Sequence, residues 1–159
     1  MVSTERNNFL KTAIDLSFMG SAHGHGGPFG ALVVKDGKII GKGFNRVLSS
    51  NDPTAHAEIV AIREACNNLG SFQLTGCEIY SSCEPCPMCL GAIYWARPDV
   101  VFFASTRQDA AGAGFDDAFI YDEIVLPYGE RSIPMNYVPL PEALEAFEKW
   151  KVNPDKTLY

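Results

Sequence analysis

Three cysteines crowded into one short stretch constrain this chain more than any other feature. Residues 81–92 read SSCEPCPMCLGA, so Cys83, Cys86 and Cys89 recur at a spacing of three with a proline inside each gap. Five cysteines in 159 residues is an odd count, and such crowding suits metal binding better than a disulfide framework. Pro85 and Pro87 favour a helix entry, which puts Cys86 and Cys89, at i and i+3, on one face of its first turn. The unpaired N–H groups and the positive dipole end found there lower thiol pKa values and favour the thiolates that a metal needs. A Cys-x-x-Cys also serves redox chemistry, and two thiolates do not complete a tetrahedral zinc site. Cys66 and Cys77 read as small buried apolar residues.

Of the three histidines, His23 and His25 lie in a Gly-rich loop and read as solvated. His56 lies in NDPTAHAEIVAI, at the start of an expected helix, with Glu58 two residues on. Side chains at i and i+2 of a regular helix point roughly 200° apart, so His56 and Glu58 converge only at a helix entry, where the backbone is still extended. His56, Cys86 and Cys89 make a three-ligand set whose fourth position is left to water, the mark of a catalytic zinc. The alternative is a closed structural knot with Cys83 as the fourth ligand. Cys83 ends a strand just before Pro85, so that closure requires the chain to turn back sharply. Glu58 favours the open site, where a carboxylate can take a proton from a zinc-activated water and deliver it to a leaving group.

The remaining pattern is that of one α/β domain spanning 1–159. A helix is expected from about Thr4 to His23. FGALVVKDGKIIGKGFN then reads as a hairpin across Asp36-Gly37. HAEIVAIREACNNLG reads as a helix with Ile59, Ile62, Cys66 and Leu69 in its apolar stripe, capped by Asp52 or Thr54 and stopped at Gly70. Strand CEIYSS, a helix from Cys86 and strand VVFFA imply a right-handed parallel crossover, hence a mixed sheet with helices on both faces. A possible further strand near Ile133–Val138 and a helix over about Pro141–Trp150 follow.

Net charge is −6, and residues 100–159 carry five basic side chains (Arg107, Arg131, Lys149, Lys151, Lys156) against ten acidic ones. That balance argues against a nucleic-acid partner, which draws on clustered Lys and Arg. The N-terminal MVSTERNNFLKTAIDL lacks the apolar core of a signal peptide, and no stretch is long enough to span a bilayer; the expectation is a cytoplasmic protein without membrane contact.

His56-Ala57-Glu58 followed by Pro85-Cys86-Pro87-Met88-Cys89 resembles the His-x-Glu…Pro-Cys-x-x-Cys signature of the zinc nucleoside and nucleobase deaminases. GGPFGALVVKDG, SNDPTAHAE, SSCEPCPMCLGAIYWARP and AGFDDAFIY, continuing to Tyr159, resemble the bacterial guanine deaminases of the cytidine/deoxycytidylate deaminase superfamily over nearly the whole chain. The resemblance implies a three-layer α/β/α sandwich of the cytidine-deaminase type with a mixed sheet of about five strands. It implies Zn²⁺ held by His56, Cys86 and Cys89, with Cys83 outside the coordination sphere and Glu58 moving protons. It further implies that Asn45 and the backbone around Ala57 hold a purine base, that Phe29 and His56 bound its faces, and that Asp117 and Tyr159 close the pocket. The implied assembly is a homodimer exchanging a C-terminal segment, about 130–159. The implied reaction is hydrolysis of guanine to xanthine and ammonia, in purine catabolism. Two alternatives keep the same metal chemistry. DPTAHAEI and EPC.MC.GA are shared with the tRNA adenosine deaminases, against which the acidic C-terminal third and FDDAFIY stand. Cytosine, cytidine or another amino-heterocycle differs only in pocket shape.

Overall fold

The computed structural model describes residues 4–159, and two compact units emerge, Met1–Ala118 and Phe119–Tyr159. The first unit opens with α1 (Thr4–Ala22) and the hairpin strands β1 (Gly30–Lys35) and β2 (Lys38–Phe44), joined at Asp36-Gly37 as expected. A short α2 (Val47–Ser50) and α3 (Ala57–Leu69) follow. Then come β3 (Cys77–Cys83), α4 (Pro87–Ala96), β4 (Val100–Ser105) and α5 (Arg107–Gly112).

Strand order is β2-β1-β3-β4, antiparallel across β2/β1 and β1/β3 and parallel across β3/β4, so β3 and β4 pair in parallel on either side of α4 in a mixed sheet, as the sequence implied. β1 reads as a continuous apolar run because both of its faces are covered. Leu32 and Val34 pack with Ala13 of α1 and with Tyr80 on one face. Ala31 and Val33 pack on the other with Ala57, Ala61 and Ala65 of α3 and Ile93 of α4. The three-layer α/β/α expectation holds.

Two expectations need correction. The described residues form four strands rather than about five, because Ile133–Val138 has no regular structure; Pro134 and the following Pro139 each lack the N–H a ladder needs. And neither Asp52 nor Thr54 caps α3. His56 occupies the N-cap position, while Asp52 Oδ1 accepts from Thr54 N–H at 2.8 Å and from Thr54 Oγ1 at 2.7 Å, closing a turn upstream of the helix.

The second unit carries most of α6 (Ala118–Val125), a 3₁₀ turn (Tyr128–Glu130) and α7 (Pro141–Val152). Arg131 fastens its first half, donating to the carbonyls of Leu126 (3.1 Å) and Ile124 (2.9 Å) and lying over the Tyr128 ring. None of its residues is buried, Leu144, Phe147 and Tyr159 included. No helix among the described residues is long and apolar enough to cross a membrane.

Candidate active site

Two helix entries build the site. His56, the N-cap of α3, is extended (φ −69, ψ 156), and so is Cys86, the N-cap of α4 (φ −66, ψ 168), with Pro87 opening the helix behind it. His56 Nδ1 lies 3.4 Å from Cys86 Sγ and 3.5 Å from Cys89 Sγ, and the three ligand atoms all fall within 4.8 Å of one another. Zinc bonds of about 2.0 Å to nitrogen and about 2.3 Å to sulfur, at a tetrahedral angle, separate the two atoms by about 3.5 Å. The residues therefore fit the ion, and His56, Cys86 and Cys89 are positioned to bind it. Cys83 is not in the group: at the end of β3 its thiol donates to the Thr106 carbonyl at 3.5 Å.

Electrostatics favour an anionic Cys86. The Cys86 thiol is drawn down to about 4, first by the hydrogen bond from Cys89 and then by the one from His56. The same Cys86–Cys89 bond, followed by burial, pushes Cys89 up. His56 is raised by its bond to Cys86.

Glu58 is 6% exposed. Its Oε1 accepts from Ser81 Oγ at 3.1 Å and its Oε2 from Cys89 Sγ at 3.4 Å. Burial pushes its carboxyl above the ordinary range, and the nearby Cys86 adds to the shift. The carboxylate thus stands against the ligand group rather than in solvent.

A cavity of about 660 Å³ opens onto this arrangement, and Phe29, Asn45, His56, Glu58, Cys86 and Asp117 all line it. Burial raises the Asp117 carboxyl, with Cys86 the next cause. Ala57 does not line the cavity: its methyl group is fully buried and its carbonyl oxygen lies against Gly43 of β2. Its N–H, in the first turn of α3, has no partner within that helix. Tyr159 belongs to the second unit, where it is exposed. His23 and His25 are outside the ligand group, and the His25 ring packs on Phe44 at 5.1 Å.

Sequence reasoning missed several cavity residues. Phe115 meets Phe29 edge-to-face at 5.0 Å and 87°, extending the aromatic wall. Arg107 and Glu84 are also in the lining, with Arg107 N–H donating to Glu84 Oε2 at 3.0 Å. Ser81 was legible in principle. Cys77, Ile79, Ser81 and Cys83 alternate onto one face of β3, and a lone hydroxyl on that apolar face requires a partner.

One imidazole and two thiolates positioned to bind a metal, with a buried carboxylate beside them at the floor of an open cavity, define a zinc-dependent deaminase class on an α/β/α scaffold. The comparisons agree. The model of the cytidine and deoxycytidylate deaminase zinc-binding region matches residues 3–105, and the chain belongs to that family. It is 58% identical to the guanine deaminase of Bacillus subtilis (strain 168) over 95% of this chain and 97% of that protein. The crystal structure of the B. subtilis enzyme matches with a TM-score of 0.94, covering 96% of this chain and 98% of that one. The tRNA-specific adenosine deaminase of Aquifex aeolicus is 41% identical over 77% of this chain and 79% of its own length. A solved structure in complex with 2,6-diaminopurine matches with a TM-score of 0.68 at 32% identity, covering 74% of this chain and 65% of that one.

Proposed function

We propose that this chain is a cytoplasmic guanine deaminase, converting guanine and water to xanthine and ammonia. The observation that carries the deaminase reading is Glu58, a buried carboxylate that touches Cys89 of the ligand group and lines the cavity. Guanine is favoured over a tRNA adenosine because the likeness to the B. subtilis enzyme runs through both units, whereas the likeness to the tRNA enzyme covers 77% of the chain. The acidic residues after position 100 also oppose a phosphate backbone.

When bound by His56, Cys86 and Cys89, zinc supplies Lewis-acid activation, lowering the pKa of a water from 15.7 towards about 7. Glu58 takes the water proton and places it on guanine N3 as the water oxygen adds at C2. It then carries the second proton to the departing amino group, so the C2–N bond breaks and ammonia leaves. Ser81 holds Glu58 in place through Oε1. Asn45 and the Ala57 N–H hydrogen-bond the purine, Phe29 and His56 bound its faces, and Asp117 borders its edge. A homodimer exchanging about residues 130–159 would bring Tyr159 over the pocket of the other copy. What supports that assembly is a second unit rich in apolar residues with none buried within its own chain.

The test is ammonia release by zinc-loaded protein on guanine, guanosine, adenine, cytosine, cytidine and an adenosine-34 anticodon stem-loop, with Glu58→Gln as control. Guanine-selective release, abolished in Glu58→Gln at unchanged zinc content, is the expected result. Activity on the stem-loop alone would replace the proposal with the tRNA reading, and a Glu58→Gln variant at near-normal rate would remove Glu58 from the proton transfers.

A further inference from the structure

The side-chain amide of Asn45 is held on two sides. Its Oδ1 accepts from Val47 N–H at 3.1 Å, and Asn45 is 6% exposed while lining the cavity. Because the amide is planar, fixing Oδ1 turns Nδ2 to the opposite edge, so the group offers a donor to the cavity. Gly26 closes the other side. A Cβ built on Gly26 would overlap Asn45 Oδ1 and lie 2.9 Å from Cγ and 3.0 Å from the Asn45 carbonyl oxygen.

Nothing in the Gly26 backbone itself calls for glycine, since it is not among the positive-φ residues. The requirement comes from the approach of Asn45, and neither party can back away. The His25 carbonyl accepts from both Leu48 and Ser49 N–H at 3.1 Å, pinning the loop before Gly26 to α2. On the far side, Asn45 N–H donates to the Phe29 carbonyl at 3.0 Å, so the loop after Gly26 is tied to Asn45 itself. Gly26 is clamped between these two anchors.

We propose that Gly26 is a positioning residue: by leaving room for Oδ1 against Val47 N–H it fixes the Asn45 amide with its NH₂ toward the substrate, which must therefore present an acceptor there. This rests on the proposed purine deamination, and it adds a residue that acts only through Asn45.

The experiment is a double-mutant cycle of Gly26→Ala and Asn45→Ala in the zinc-loaded full chain, read by KM, kcat, zinc content and thermal midpoint. Gly26→Ala is expected to raise KM for guanine about tenfold or more, with a smaller change in kcat and full zinc content. Asn45→Ala, which removes the amide and its overlap and leaves only the 3.0 Å approach to the Asn45 carbonyl oxygen, is expected to raise KM similarly. The double variant is expected to have a KM no worse than that of Asn45→Ala alone and to recover most of the midpoint lost in Gly26→Ala. Multiplying losses in the cycle, or a Gly26→Ala variant with wild-type KM, would overturn the proposal. Should Gly26→Ala fail to fold, the double variant decides: it must fold if Asn45 is the obstacle, and its failure would overturn the assignment. The wild-type rate on guanine reports separately on the reaction. If another member of the panel is the substrate, the cycle is read on that one, and the midpoint arm needs no substrate at all.

Discussion

Gly43→Ala tests whether β2 sets the position of the metal ligands. A Cβ at Gly43 would overlap the Ala57 carbonyl oxygen and lie 2.8 Å from Ala61 N, both backbone atoms of the first two turns of α3. Real Cβ atoms do not approach closer than 3.0 Å, so clearing the oxygen requires the helix entry to move by about 1 Å in a close-packed interior. Overpacking of this kind destabilises by about 1–3 kcal/mol. The functional consequence is larger, because His56 and Glu58 ride on that entry while Cys86 and Cys89 stay on α4. Metal–ligand distances tolerate about 0.2 Å, and a misplacement of about 1 Å can lower turnover about 100-fold. Gly41→Ala is the control: its Cβ strikes Ala61 and Ala65 of the same helix, one turn further from the ligands. Urea unfolding of the zinc-free proteins, zinc competition against a chromophoric chelator and kcat are measured on both variants. Comparable losses of stability are expected, with zinc affinity and kcat falling much further in Gly43→Ala. A Gly43→Ala protein with wild-type zinc affinity would refute the idea that the β2–α3 contact fixes the site.

Two further outcomes are expected. Ser81→Ala removes the hydroxyl that donates to buried Glu58, which should lower stability in urea by about 1–3 kcal/mol, the cost of depriving a buried polar group of a partner, and reduce kcat; an unchanged kcat would show that Glu58 needs no such support. Tyr80, buried beneath α1, donates to Glu78, whose other oxygen pairs with Arg6 at 3.0 Å, and burial followed by that hydrogen bond pushes its phenol up to about 12. Since the ordinary value is 10.0, the neutral phenol stabilises the fold fully below about pH 10 and less as pH rises towards 12. The stability advantage of the wild type over Tyr80→Phe should shrink across that window in chemical unfolding, and a constant difference would contradict the shift.

The metal ligands were legible because the residues that carry chemistry also mark local structure. Pro85 and Pro87 announce the entry of α4, and DPTAH the approach to α3, so Cys86, Cys89, His56 and Glu58 could be placed at helix starts without any tertiary information. The sheet was legible where alternation and turn chemistry agreed, in the hairpin and in the crossover from β3 to β4. The rest depended on close approach between segments far apart in sequence. That Gly26 abuts Asn45, that Gly43 abuts Ala57, and that Phe115 meets Phe29 are properties of the packed fold, and a glycine or a phenylalanine in a loop carries no sign of its neighbour. The α3 cap was misplaced for a related reason. Asp52 and Thr54 are good capping residues, but their side chains satisfy each other, and the chain runs on extended to His56 before it turns.

The two motifs share one geometry. In each, the N-cap residue of a helix supplies a ligand from an extended backbone, and a second functional residue sits inside the first turn, at i+2 for Glu58 and i+3 for Cys89. At i+3 the second thiol faces the first, and Cys89 N–H donates to Cys86 Sγ at 3.5 Å, so the helix end itself solvates a thiolate. At i+2 of a regular helix Glu58 would point away from His56; the extended N-cap removes that divergence, and the longer side chain reaches Cys89 and Ser81 instead of taking a place among the ligands. The spacing of two against three therefore separates a group that holds the ion from a group that stands beside it. That division leaves the Glu58 carboxylate free for the proton transfers proposed above, beside three side chains positioned to bind the ion.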